Sequence, residues 1–259
     1  MSITRIEKYP MWDLTDAENL HYLHTVIFVI QADEVFRLTR SERLPGDPTG
    51  EELETVTPIP KDHLWPKPQK NAKEFTGALS PEIYVKRPGL GNYDTLLSHG
   101  VKPSDLMLQE IATLEKFTHD RHHPHVAPYL GYLKGDDGLI KGLCFPRYRE
   151  TLDQRLCRED QIGSDALDVE RCMRHIRSGV KYLHQQGFVH NDINVDNIMF
   201  DDDGKAIIID FDSCQQHGAK LGIKPGVDLE AKVADYDNDE RALSKLGRTI
   251  RDRIEGQSE

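Results

Sequence analysis

The stretch His190-Asn191-Asp192-Ile193-Asn194-Val195-Asp196-Asn197, continued 13 residues beyond Asn197 by Asp210-Phe211-Asp212, decides how this chain is read. Between the two pieces lie apolar runs, Asn197-Ile198-Met199-Phe200 and Lys205 to Asp210 (KAIIID). Asp201-Asp202-Asp203-Gly204 separates them with the composition of a hairpin turn. In such a hairpin Asn197 opens one strand and Asp210 closes its partner, so both face the same end. A loop carboxylate, an amide oxygen five residues later and a carboxylate across the hairpin make a set of hard oxygen ligands and a proton acceptor. Phosphoryl transfer needs those parts and little covalent help: a carboxylate to orient the nucleophile, oxygen ligands for Mg²⁺, and a cation on the phosphates.

Working outward, Gly187 closes a helix expected over Ala166 to Gln186, with Cys172, Met173, Ile176, Val180 and Leu183 on its apolar face. A short helix is expected over Thr151 to Cys157. Strands are expected over Val126 to Leu133 and Leu139 to Phe145, on either side of the turn residues Lys134 to Gly138. Ser104 to Phe117 reads as a helix with Ser104 or Asp105 as its N-cap. Glu82-Ile83-Tyr84-Val85-Lys86 alternates like a strand and stops at Pro88-Gly89. Residues 45–75 read as an exposed loop or insert, because Pro45, Pro48, Pro58, Pro60 and Pro66 oppose any regular element before Lys67. The β-branched run Tyr22 to Phe36 is expected to form a strand or two after a polar start. Residues 213–235 read as irregular, and Asp239 to Ile254 as a final amphipathic helix.

Composition narrows the function classes. The chain has 259 residues and a net charge of -11 with histidine neutral, so bulk charge does not hold it to nucleic acid. No apolar run reaches the roughly 18 residues of a membrane span, and the sequence Met1 to Arg5 lacks the apolar core of a secretion signal. Cys144, Cys157, Cys172 and Cys214 lie far apart and read as reduced thiols of a cytoplasmic or nuclear protein. His119, His122, His123 and His125 read as a helix-to-strand connection, not as a zinc site, since no cysteine accompanies them. The run Asp235, Asp237, Asp239 imitates a calcium loop but has Glu240 where the loop needs glycine and Leu246 where it needs glutamate.

The loop His190 to Asn197 resembles the HxDxxxxN catalytic loop of the eukaryotic protein-kinase-like family, and Asp210-Phe211 resembles the start of its DFG motif. Val85-Lys86 is similar to the family's VAIK lysine. Glu110, in QEIATLEKF, sits where its helix glutamate would. His123-Pro124-His125-Val126 is similar to the connection after that helix, and Asp239-Glu240-Arg241-Ala242-Leu243 to the start of a large-lobe helix. The long irregular N-terminal part and short C-terminal one are similar to kinase-like proteins of fungal genomes.

The resemblance implies an α+β, two-lobed protein-kinase-like fold: an antiparallel-sheet small lobe with one helix, and a reduced, mainly helical large lobe. Residues 1–75 would be an N-terminal extension and first strands with a Pro-rich insert, 76–149 the rest of the small lobe with the hinge, and 150–259 the large lobe. Asp192 would be the catalytic base. Lys86 would hold the ATP phosphates and pair with Glu110. Asn197 and Asp210, with Asp212 beside them, would ligate Mg (or Mn). Phe145, Arg147 and Tyr148 would belong to the hinge that takes the adenine. His190 would be a structural hydrogen-bonder holding the loop and the Phe211 backbone. The implied activity is ATP-dependent phosphate transfer to an alcohol acceptor, a protein Ser/Thr or a small-molecule hydroxyl. A protein partner belongs to the alternative, a pseudokinase scaffold or nucleotide-switched binding protein without turnover.

Several residues depart from the family pattern. No GxGxxG precedes Lys86, and Gly89-Leu90-Gly91 falls on its far side. Asn191 replaces the usual arginine, Asn194 the usual lysine, and Asp212 the glycine of DFG. About 20 residues follow Asp239, too few for the family's later helices.

Overall fold

The strand content of the first third comes from one run, Thr25 to Val29, in which five successive side chains are buried. Burial without alternation means both faces of that strand are covered. In the computed structural model, which describes residues 5–13, 21–31, 34–118, 122–158, 167–221 and 232–256, this run is the centre of β2 (His21–Gln31), between β1 (Arg5–Asp13) and β3 (Glu34–Arg40). Both pairings are antiparallel. The strand or two expected from Tyr22 to Phe36 is thus a hairpin, and the polar start supplies a third strand. Pro10 is tolerated because β1 lies at the sheet's edge, where a missing N–H breaks no ladder.

Residues 45–75 are not a plain loop. They hold α1 (Gly50–Glu54) and α2 (Lys61–Leu64). Thr49 caps α1, accepting from Glu52 N while the Glu52 carboxylate accepts from Thr49 N. This capping box lets a one-turn helix form between prolines that bound it but do not enter it. The internal contacts of the chain separate into two units. The first comprises Met1–Trp65 and Gly89–Ser104, and the second Pro66–Pro88 and Asp105–Glu259. In the first unit Ile27, Val29, Phe36 and Leu53 form a small core.

The second unit holds every residue to which the resemblance assigns chemistry. Its first sheet has the order β4-β6-β5, from β4 (Ile83–Lys86), β5 (Gly131–Lys134) and β6 (Ile140–Pro146), all antiparallel. Chain order around them runs α3 (Tyr93–Ser98), in the first unit, then α4 (Pro103–Thr118). The strand expected from Val126 to Leu133 is shorter. Only Gly131 onward pairs with β6, while Val126 makes a single parallel bridge to Ile208. Gly142 allows β4 to approach β6 closely, since a Cβ there would lie 2.6 Å from the Lys86 carbonyl oxygen.

α4 starts one residue before the cap that the sequence predicts. Ser104 lies inside its first turn, where its hydroxyl donates to the Asp62 carbonyl. Met107, Glu110, Ile111, Thr113, Leu114 and Phe117 are buried along α4, so Glu110 is a carboxylate on a mainly apolar face.

The rest of the second unit is β7 (Glu150–Thr151), α5 (Leu152–Leu156), α6 (Val169–Gln185), β8 (Phe188–Val189), β9 (Ile198–Phe200), β10 (Ala206–Ile208), β11 (Gln215–Gln216) and α7 (Tyr236–Glu255). The predicted hairpin is β9-β10, and β7 pairs with β9 on its other side. Gly187 follows α6 at φ 82°, a left-handed backbone that glycine adopts without steric cost. Ala166, the expected start of that helix, lies outside the described residues, and α6 opens on Asp168, which caps Arg171 N. The segment after 213 is not wholly irregular, because β11 pairs with β8. α7 starts three residues before Asp239, capped by Asp235. One continuous core, from Met107 and Leu143 through Ile176 and Ile198 to Leu246, runs through this unit. Among the described residues no helix is long and apolar enough to cross a membrane.

Candidate active site

β4 carries Lys86 at its last position, and pleating aims the side chain at α4 on one side and the end of β10 on the other. The ammonium donates to both Glu110 carboxylate oxygens, at 2.7 and 2.8 Å, and to Asp210 Oδ1 at 2.6 Å. Asp212 Oδ2 lies 4.0 Å away. Glu110 is 3% exposed, and its Oε1 also accepts from Phe211 N at 3.3 Å. Burial raises the carboxyl pKa of Glu110, the charges of Asp210 and Asp212 add to the rise, and Lys86 opposes it. Burial works against the Lys86 ammonium as well, but Glu110, Asp210 and Asp212 outweigh it and raise its pKa, so the lysine stays charged. Phe211 anchors the segment from below, edge-on to Phe117 at 5.3 Å and to His190 at 5.5 Å. Asp210 adopts φ 61°, a left-handed backbone conformation that an aspartate tolerates better than most residues.

The loop after β8 is organised by short-range amide bonds. Asn197 Nδ2 donates to the Asp192 carbonyl at 2.8 Å and to its Oδ2 at 3.0 Å, while Asn194 Nδ2 donates to Oδ1 at 2.8 Å. Asn194 Oδ1 accepts from Asp196 N and Asn197 N. Asn194, placed where the family has a cation, therefore acts as a clamp on Asp192. His190 holds the loop as expected, but through a different partner. Its Nε2 meets the Ile209 carbonyl at 3.1 Å, and its Nδ1 accepts from Asp192 N at 3.3 Å, so the contact runs to β10's end and not to the Phe211 backbone.

Asn191 sits at φ 63° and uses its whole side chain. Nδ2 donates to the Val189 and Ser213 carbonyls, each at 3.1 Å, and Oδ1 accepts from Asn238 Nδ2 at 2.9 Å. It ties β8, the segment after Asp212 and α7 together with neutral bonds. Asp239, read from sequence only as part of a helix start, is the anchor beneath. It is fully buried and accepts from His190 N at 2.9 Å, Asn191 N at 2.8 Å and His184 Nε2 at 2.8 Å. A signal for it was present: Asp239 falls on the stripe of Leu243, Leu246 and Ile250, and a carboxylate on an apolar helix face needs partners.

A cavity of about 430 Å³ runs from Lys86 and Asp210 to Phe145, Arg147 and Tyr148, the segment expected to hold a base. Tyr84, Met199 and Ile209 also line it, and sequence reasoning singled out none of these three. Asp192, Asn197 and Asp212 are not among the lining residues of this cavity. Among the described residues no three His, Cys, Asp or Glu side chains group to hold a metal on their own. The oxygen donors Asp210, Asp212 and Asn197 suit a hard divalent cation that completes its shell with water and phosphate, which is how Mg²⁺ is commonly held.

His123 and His125, in the connection after α4, take part in ring stacks. His123 stacks on Tyr182 at 5.0 Å and His125 on His175 at 4.0 Å, while His119 lies outside the described residues. Cys214, next to the acidic turn, is fully buried, and desolvation raises its pKa well above the ordinary thiol value, which keeps it protonated and unreactive.

The protein kinase domain family matches residues 97–225. Over 118 residues the chain is 30% identical to the serine/threonine-protein kinase CLA4 of Eremothecium gossypii, a segment that is 42% of this chain and 14% of that protein. It is 40% identical to sperm motility kinase 2B of Mus musculus over 116 residues, 44% of this chain and 22% of the relative. It is 32% identical to a serine/threonine-protein kinase-like protein of Arabidopsis thaliana over 107 residues, 40% of this chain and 29% of the relative. The matched segments thus span less than a third of each of these curated relatives.

Proposed function

Starting from a chain that belongs to the protein-kinase-like family, we propose that it is an ATP-dependent phosphotransferase acting on a hydroxyl acceptor, a protein Ser/Thr by analogy with those relatives. The observation that carries the reading is the convergence of Lys86, Glu110 and Asp210 from three elements at 2.6 to 2.8 Å, at one end of a 430 Å³ cavity. In this reading residues 76–149 and 150–259 are the small and large lobes of one kinase-like fold, and ATP lies between them.

Lys86 turns from Asp210 toward the α and β phosphates and neutralises them, held in place by Glu110. Asp192 orients the acceptor hydroxyl and takes its proton, and its two amide clamps fix the carboxylate's direction. Mg²⁺ or Mn²⁺, bound through Asp210 and Asn197 with Asp212 alongside, would supply charge neutralisation on the phosphates. Positioning and preorganised charge account for most of the rate in such a reaction. Transfer of radiolabel from ATP to a generic protein acceptor, wild type against Asp192→Ala, tests the proposal. A loss of about 10²-fold or more is expected, and equal signal in both would sink it.

A second reading has its own support. Both Asp192 oxygens already hold amide N–H groups, and β4 is an edge strand of its sheet, with no glycine-rich hairpin beside it among the described residues. A protein that binds nucleotide without turnover would show thermal stabilisation by ATP with Mg²⁺ but no transfer.

A further inference from the structure

α6 and α7 run antiparallel. The end of α6 meets the start of α7, where the Tyr236 hydroxyl donates to the His184 carbonyl at 3.3 Å. The first turns of α6 meet the middle of α7, where a Cβ on Gly247 would lie 3.7 Å from Met173 Cε. Each helix turns an apolar face inward, with Ile176, Val180 and Leu183 on α6 and Leu243, Leu246 and Ile250 on α7, all in one core. Two antiparallel helices that share an inner side share an outer side too.

That outer side is cationic. Arg174, Arg177 and Lys181 recur at helical spacing on α6, and Arg241, Lys245 and Arg248 on α7, and all six are exposed. Among the described residues none of the six has an ion pair, and only Arg241 donates to another side chain, the neutral Asn238 Oδ1 at 2.7 Å. Glu170 and Asp252 stand four residues from Arg174 and Arg248, the spacing of a helical ion pair, yet neither closes one. Like charges three and four residues apart repel, so the arrangement works against both helices. It occurs in a chain with 44 acidic and 33 basic residues, in which cations elsewhere, such as Arg37 with Asp94 and Arg253 with Asp153, find carboxylates.

What the surface lacks narrows its partner. No large hydrophobic side chain is exposed on either helix, so nothing there stacks on a base or enters a lipid layer. A broad anionic membrane would also meet the rest of a chain whose net charge is -11. An extended peptide meets only the strip on which it lies.

We propose that the outer face of α6 and α7 is a docking surface for an acidic segment of another protein, a series of Asp or Glu side chains laid along the seam between the two helices. It stands apart from the Lys86 cavity, none of whose lining residues belongs to either helix. Exposed charge pairs are individually weak and are screened by salt, so binding draws on all six cations and depends on ionic strength. The full chain is titrated into a fluorescently labelled twelve-residue peptide that alternates Glu and Ser, with a Gln and Ser peptide as its uncharged match, and anisotropy is read. Affinity for the acidic peptide should fall at least about fivefold between about 50 and 300 mM NaCl. Arg177→Glu with Arg248→Glu, one reversal on each helix, should weaken it about tenfold. Arg177→Gln with Arg248→Gln, milder for the fold, should weaken it about threefold. Lys116→Glu, an exposed reversal on α4, should leave it unchanged.

Equal binding of the uncharged peptide, or full affinity in both double variants, overturns the assignment. So does a loss, in those variants, of pelleting with phosphatidylserine vesicles or of a dimer seen by light scattering, which would give the face to a membrane or to a second copy of this chain.

Discussion

The two ends of the site are built on opposite principles. At the Lys86 end, partners lie 24 and 124 residues away in sequence, and the contacts are between full charges. At the Asp192 end, partners lie two and five residues away, and the donors are neutral amides. The charged end exists only once α4, β4 and the turn after β10 have packed. The amide end is a local turn that needs only a platform. Under the function proposed above, substitutions at the first should register in ligand affinity and in the ionisation of neighbours, and those at the second in the transfer step.

Asp239 is where the local loop depends on the tertiary structure, and it carries the largest expected effect. Replacing it by alanine leaves two backbone N–H groups without their acceptor in a dry site, and the expected loss of stability is about 3–5 kcal/mol. Urea unfolding measures it, and a loss under about 1 kcal/mol would mean that the loop stands by itself. Lys86→Met should come next, with nucleotide affinity down about 10- to 100-fold at little cost in fold, because Glu110 with its raised pKa can take up a proton and go neutral. Calorimetric titration with ATP and Mg²⁺ checks this, and unchanged affinity would separate the ion network from the ligand.

Asn191 sharpens the contrast from the other side. Asn191→Gly keeps the left-handed backbone but loses the three side-chain bonds, and transfer should fall about tenfold with nucleotide affinity unchanged. Asn191→Ala should add about 1 kcal/mol of destabilisation from the positive φ. A parallel drop in affinity for either variant would show that the two ends are coupled. The smallest expected effect lies away from both. His123, His125 and His175 have pKa values below the ordinary 6.5, first because of burial, then for His123 and His175 because of the charge of His125. The unfolded chain then binds protons that the folded one refuses. Their contribution to stability is full above about pH 6.5 and is lost as pH falls through the lowered values. Melting temperature measured from pH 8 to 5 should decline at the acid end, and His175→Gln should flatten that decline.

Much of the local structure around the candidate site was legible in the sequence because its features are short-range. HxDxxxxN spacing, a hairpin with Asp201 to Gly204 at its tip, and the alternation into Lys86 are all visible within a dozen residues. Pairing of Lys86 with Glu110 came through resemblance, since Glu115 on the same helix is equally acidic. Only the burial of one face of α4 tells them apart, with Glu110 turned inward and Glu115 accepting from Lys73 N. The prolines of residues 45–75 point to a loop by their number, but their positions leave Gly50 to Glu54 free of proline, and Thr49 with Glu52 carries the helix signal.

Local chemistry, then, was determined by the sequence alone: which residues carry oxygen donors, where the chain turns, and which helices have an apolar stripe. Those properties depend on backbone sterics and on hydrogen bonds that close within a few residues. Tertiary structure decided which carboxylate meets Lys86, that Asp239 lies under the loop, that Asn191 and Asn194 are ties and not gaps, and that Tyr84 faces the cavity. Each of these depends on which surfaces are dry. A charge or an amide finds its partner only after distant segments have excluded water around it, and a single chain of letters does not carry that exclusion.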